Sequence, residues 1–171
     1  MKKRGLKSSF RATGQTGILV TGEGVPLDAV IADFMAGSVE WLTPDNDADH
    51  WDHIEGQGSL FHLSYSGVTM ALIHGGQPDA LILAHEPTRD HMRGLPGQKM
   101  PDLTALRDLS LQIARMANPA CQVVGISVNT QHLADDTFGD YLADIEAEMG
   151  LPSVDPFRQG AGRLVDALAA I

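Results

Sequence analysis

The residues Ile54-Glu55-Gly56-Gln57-Gly58-Ser59 combine types and spacing that suit a reaction centre. An acid ends an expected strand, two glycines let the backbone approach a ligand closely, and a hydroxyl follows. Glu55 suits Mg²⁺ coordination or proton abstraction, while successive N–H groups and the Ser59 hydroxyl suit an anion. The plainer alternative is a glycine-rich turn carrying a solvated acid. Upstream, Arg11-Ala12-Thr13-Gly14-Gln15-Thr16-Gly17 offers a guanidinium, two hydroxyls and the Gln15 amide. Further on, His85, Glu86, Arg89, His91 and Arg93 begin or lie within a Gly- and Pro-rich loop from Glu86 to Pro101, where a small anionic substrate would meet strand ends. Ordinary solvated loop charges explain those residues equally well. Asp28 suits either a ligand at the strand ends or the dipole of its own helix, and Asn129 either a nucleotide base edge or a turn.

Several familiar motifs fail on inspection. Gly22-Glu23-Gly24-Val25-Pro26-Leu27 resembles a dinucleotide fingerprint, but Leu27 replaces the third glycine and Pro26 removes an N–H. Asp45-Asn46-Asp47-Ala48-Asp49 resembles a calcium loop, yet His50 replaces its glycine and Gly56 its final acid. The pairs His50/His53 and His85/His91 are the closest histidine pairs, and neither has the helical His-Glu-x-x-His form of a zinc site.

Positioning such residues requires strands with covered faces. Apolar runs alternate with helical periodicities, which predicts an α/β fold: three layers, a mostly parallel sheet and crossover helices in five βα steps within one domain, 1–171. Strands are expected at Thr16–Thr21, Trp51–Glu55, Ala80–Ala84 and Gln122–Val128, with a short fifth one later. Helices are expected from Pro26 to Leu42, from Gly67 to Gly75, after an Asp102 cap to Ala117, over Phe138–Met149, and from Gly160. Gly150 and Pro152 form a stop signal.

The 22 acidic and 12 basic residues give a formal charge of −10, which repels phosphate backbones and anionic lipid. Neither nucleic acid nor membrane is expected as a partner. The basic start Met1-Lys2-Lys3-Arg4 lacks a following apolar h-region, and the single Cys121 excludes an internal disulfide. A cytoplasmic location is expected.

Four segments together resemble the DgcN-like family: Arg11 to Gly17, Gly24-Val-Pro-Leu-Asp-Ala-Val30, Ile54-Glu-Gly-Gln-Gly-Ser-Leu60 and His85-Glu-Pro-Thr-Arg89. Gln77-Pro-Asp-Ala80, Met92-Arg-Gly-Leu-Pro96 and Val154-Asp-Pro-Phe-Arg158 extend the resemblance, which spans about Leu6 to Leu168. That family includes a D-glutamate N-acetyltransferase, and its C-terminal part has a P-loop NTPase-type fold related to dethiobiotin synthetase. The resemblance implies that Glu55 is the strand-end acid facing Mg²⁺ and that Asn129 reads a base. It also implies a preceding α/β domain and a Gly-rich phosphate loop with Lys, whereas no Gly-x-x-x-x-Gly-Lys-Ser/Thr occurs here. An N-terminally truncated P-loop NTPase-like domain is therefore expected, with weak Mg-ATP binding and a missing strand that favours a homo-oligomer.

Three functions follow as expectations. The first is N-acetyl transfer from acetyl-CoA to an acidic D-amino acid, with Glu55 or His85 as base, Arg89 and Arg93 pairing carboxylates, and Arg11, Gln15, Ser59, Glu86 and His91 lining the substrate. The second is an ATP- and Mg²⁺-dependent ligase or kinase with Glu55 and Asp28 near the metal. The third is a non-catalytic domain that binds a small anion or a partner chain.

Overall fold

Glycine geometry, more than apolar periodicity, shapes the first turn of the chain. In the computed structural model, which describes residues 1–171, strand β1 (Lys7–Arg11) runs into Ala12-Thr13-Gly14 and then helix α1 (Gln15–Thr21). Gly14 is extended at the helix start, and Gly22 closes the helix in the left-handed region with φ 80, donating its N–H to Ile18 O. The strand expected at Thr16–Thr21 is thus a helix. Ile18-Leu19-Val20 has strand-like composition, but Leu19 and Val20 are 85% and 79% exposed, so no covering layer demands a buried strand there.

The chain forms two compact units, Met1–Pro78 and Asp79–Ile171. In the first, β1 pairs in parallel with β2 (His50–Ile54), with Arg11 opposite Ile54. The helix expected from Pro26 is interrupted: a 3₁₀ turn covers Leu27–Ala29, Val30 and Ile31 are extended, and α2 occupies Ala32–Leu42. Helix α3 (Ser66–Gly76) follows, and Leu27, Val39 and Leu72 form the buried apolar centre with Val25, Val30, Ile54 and Val68 against it. A Cβ on Gly75 would overlap Ala36 O, so this glycine lets the two helices pack closely.

The second unit follows its apolar pattern closely. Strand β3 (Ala80–His85) begins it, and the loop expected at Glu86–Pro101 carries a short antiparallel hairpin of β4 (His91–Met92) and β5 (Leu95–Lys99). Helix α4 (Leu103–Ala117) starts at Asp102, whose Oδ1 accepts the Ala105 N–H at 2.6 Å. Strand β6 (Gln122–Val128), helix α5 (Phe138–Met149), strand β7 (Ser153–Val154) and helix α6 (Gly162–Leu168) complete it. The parallel ladder has the order β3-β6-β7. Leu83, Leu103, Val123, Ile126, Val128, Leu142, Ile145 and Met149 make its core. This is an α/β fold of parallel ladders with crossover helices, a two-stranded ladder in the first unit and a three-stranded one in the second. No helix is long and apolar enough to cross a membrane.

Candidate functional site

The parallel register of β1 and β2 brings Thr13 and Glu55 together just beyond the strand ends. Thr13 is fully buried; its N–H and that of Gly14 donate to Glu55 Oε2 at 2.9 and 3.0 Å. The Thr13 hydroxyl donates to Glu55 O at 2.7 Å and accepts from Gln57 Nε2 at 3.0 Å. On the opposite side the Val25 and Leu27 N–H groups donate to Ala12 O and Thr13 O at 3.0 and 3.1 Å. Each such bond contributes about 1 kcal/mol net, and together they fix the turn. A Cβ at Gly17 would overlap Glu55 Oε2, so the bare glycine is what admits the carboxylate beside α1.

Glu55 is therefore first a backbone acceptor, with Oε1 as its remaining oxygen. Gly58 and Ser59 are engaged locally: Thr69 Oγ1 donates to Gly58 O, and Ser59 Oγ accepts the Phe61 N–H at 3.2 Å. Arg11 Nε binds Asp52 Oδ1 at 2.8 Å, and Asp52 Oδ2 accepts from Asn46 at 2.9 Å. Arg11 also borders a cleft of about 360 Å³ with Phe10, Glu23, Trp41 and Pro44. Gln15 lies exposed at the start of α1, and Asp28 lies exposed in the 3₁₀ turn. No group of three His, Cys, Asp or Glu side chains is placed to hold a metal ion.

The second unit gathers different chemistry at its strand ends. His85 ends β3, and the Asn129 N–H donates to His85 O at 2.8 Å, continuing the ladder past β6. The His85 Nε2 lies 2.8 Å from the Tyr141 hydroxyl, with the rings stacked at 6.2 Å and 16°. Nδ1 has no hydrogen-bond partner within the chain. Burial holds the His85 pKa below the usual histidine value, opposed by the neighbouring Glu86. Glu86 Oε1 accepts from the Thr88 N–H at 2.9 Å and from its hydroxyl, while Oε2 pairs with Arg89 Nε at 3.0 Å. Burial tends to raise its pKa, but the Thr88 bonds and Arg89 outweigh that and lower it.

Of the other expected residues here, His91 and Arg93 are exposed on the hairpin, and Asn129 Oδ1 accepts the Gln131 N–H at 3.1 Å, which closes a turn. The structure thus joins His85, Glu86 and Arg89 through adjacent contacts and leaves His91 and Arg93 on a separate ribbon.

Three participants were not legible as such. Tyr141 reads in sequence only as one member of an apolar helical face. Thr13 sits in a polar glycine cluster that gives no sign of full burial. Asp155, 2% exposed, accepts the Thr130 N–H at 3.0 Å and the Thr130 hydroxyl on one oxygen and the Phe157 and Arg158 N–H groups at 2.8 and 3.2 Å on the other. Its signal is the Asp-Pro turn pattern after a short strand.

Residues 1–165 match the family model described as "Domain of unknown function (DUF1611_C) P-loop domain". A D-glutamate N-acetyltransferase of Tritonibacter scottomollicae is 72% identical over 171 residues, covering 100% of this chain and 51% of that protein. A second protein of that name, from a Pseudoalteromonas species, is 46% identical over 165 residues, covering 96% of this chain and 50% of that protein. The crystal structure of a DUF1611 family protein from Anabaena variabilis superposes with a TM-score of 0.93 at 41% identity, covering 99% of this chain and 50% of that one. The chain spans about half the length of the curated relatives it matches. These matches bear out the resemblance carried by Arg11–Gly17, Ile54–Leu60 and His85–Arg89: the chain belongs to the DUF1611 family, as its P-loop domain.

Proposed function

We propose that this chain contributes to N-acetyl transfer from acetyl-CoA to the amine of an acidic D-amino acid, D-glutamate being the first substrate to test. The observation that carries this is the 72% identity, over the whole chain, to a protein named for that reaction. In the transfer, the substrate ammonium gives up one proton, its nitrogen attacks the thioester carbonyl, and the C–S bond breaks as the amide forms, the second N–H proton going to the departing sulfur. His85 suits the proton acceptor because Nδ1 has no partner in the chain and burial favours the neutral ring. Glu86 beside it stabilises the imidazolium that results. Arg89, held through Nε by Glu86, retains two terminal nitrogens for a substrate carboxylate. Glu55 holds the Thr13-Gly14 turn, and Arg11, Ser59 and Gln15 belong to the surroundings of that turn.

The side chains present give a metal–nucleotide centre less support than acetyl transfer. Glu55 offers one carboxylate oxygen, no three-residue donor set accompanies it, and the Lys-bearing phosphate loop does not occur in the sequence. The proposal includes a cytoplasmic homo-oligomer without nucleic-acid or membrane partners. The −10 charge, the buried Cys121 whose thiol pKa is raised by burial, and the exposed Leu19, Phe34 and Trp41 support it.

The test is free-amine loss from D-glutamate with acetyl-CoA and without ATP, run beside thermal-shift titrations with each ligand. Acetyl-CoA-dependent loss, or a melting shift with acetyl-CoA or D-glutamate alone, supports the reading. A shift only with Mg-ATP turns it toward a nucleotide-using enzyme, and no response to any ligand turns it toward a non-catalytic domain.

A further inference from the structure

We infer that Tyr141 is a positioning residue for His85: its hydroxyl oxygen accepts the Nε2–H of the imidazole, which fixes Nδ1 as the nitrogen that takes up a proton. The task assigned to Nδ1 rests on the acetyl-transfer reading; the tautomer does not. The geometry supplies the basis, since Nε2 and the Tyr141 oxygen are 2.8 Å apart and the two rings lie nearly parallel. Either group could formally donate, because a phenol and a neutral imidazole each carry a donor and an acceptor.

The change of charge on the ring selects the direction. When Nδ1 takes up a proton, Nε2 remains a donor and Tyr141 already accepts from it, so the hydroxyl need not rotate. With Tyr141 as donor, protonation of the ring would place two donors face to face. The charged and titratable groups around the pair are Glu86, with Arg89 and His132 acting on it, and Glu148. Tyr141 itself stays a phenol at neutral pH, because burial raises its pKa.

The inference is tested by long-range ¹H–¹⁵N correlation of the histidine ring nitrogens in the ¹⁵N-labelled 171-residue chain, with His85→Gln used for assignment. At a pH where His85 is neutral, a protonated Nε2 and an unprotonated Nδ1 are expected in the parent chain. Tyr141→Phe, which keeps the stacked ring, should move the population toward the Nδ1–H form. A parent chain with Nδ1 protonated, or an unchanged tautomer ratio in Tyr141→Phe, overturns the inference, and the first of these outcomes does not depend on how the variant folds. If acetyl transfer is measurable, Tyr141→Phe should lower kcat about tenfold with KM for D-glutamate within about twofold and shift the acid limb of the pH profile. An unaltered kcat and pH profile overturns the positioning role, while absence of acetyl transfer in the parent chain overturns only the functional reading.

Discussion

The two units use polar groups at their strand ends in opposite ways. Beyond β1 and β2, Glu55 holds two backbone N–H groups on one oxygen, and Thr13 is bonded on every side. Beyond β3, His85 makes one side-chain bond and keeps a ring nitrogen unpartnered. Asp155, in the same unit as His85, resembles Glu55 taken further, since both of its oxygens are occupied. A carboxylate at a strand end is therefore not by itself a sign of chemistry. The number of backbone donors it already serves separates scaffold from reagent.

The largest effect should come from removing the most fully engaged acid. Asp155→Ala strands the buried Thr130 N–H and hydroxyl and frees the Phe157 and Arg158 N–H groups, and should cost about 3 kcal/mol in denaturant unfolding. Although burial tends to raise the Asp155 pKa, the bonds from Thr130 and from the Phe157 and Arg158 amides lower it below the ordinary carboxylate value. A depressed folded pKa means that the stabilisation is complete above the unfolded carboxylate pKa and is lost as pH falls through the folded one. The variant should show a flatter stability curve below about pH 4, and an unchanged acid limb would disprove the assignment.

His85→Gln should lower acetyl transfer by about 10²-fold or more with a small change in melting temperature. Equal losses of activity and stability would make His85 a scaffold residue like Asp155. Gly17→Ala forces α1 or Glu55 to move and should cost about 2 kcal/mol, read as a lower denaturation midpoint. Glu55→Gln keeps an oxygen for Thr13 and Gly14, so less than about a tenfold loss of activity is expected; a loss matching that of His85→Gln would move the chemistry to Glu55. Lys7→Ala removes exposed pairs with Asp47 and Asp49 and should leave the midpoint unchanged.

The same contrast explains what the sequence discloses. In the second unit burial of apolar faces decides structure, so the run Gln122–Val128 and the helical spacing of Phe138, Leu142, Ile145 and Met149 are legible. In the first unit, bonds from backbone to side chain decide it. Strand β1 is largely polar, α1 is built from strand-forming residues, and the extended Val30-Ile31 breaks a helix that Pro26 and later apolar positions suggest. The site divides likewise: His85, Glu86 and Arg89 are adjacent in sequence and remain neighbours, whereas Tyr141 reaches His85 from 56 positions away through the register of α5 against the ladder. Periodicity carries no information on such a pairing.

The missing Cβ at Gly17 has a mechanical consequence. With no side chain between them, α1 and the Glu55 carboxylate lie close together, and Oε2 is also tied to the Gly14 N–H at the helix start, so a displacement of one is expected to be felt by the other. An environment-sensitive label on the exposed Leu19 would read such coupling without touching the strand end.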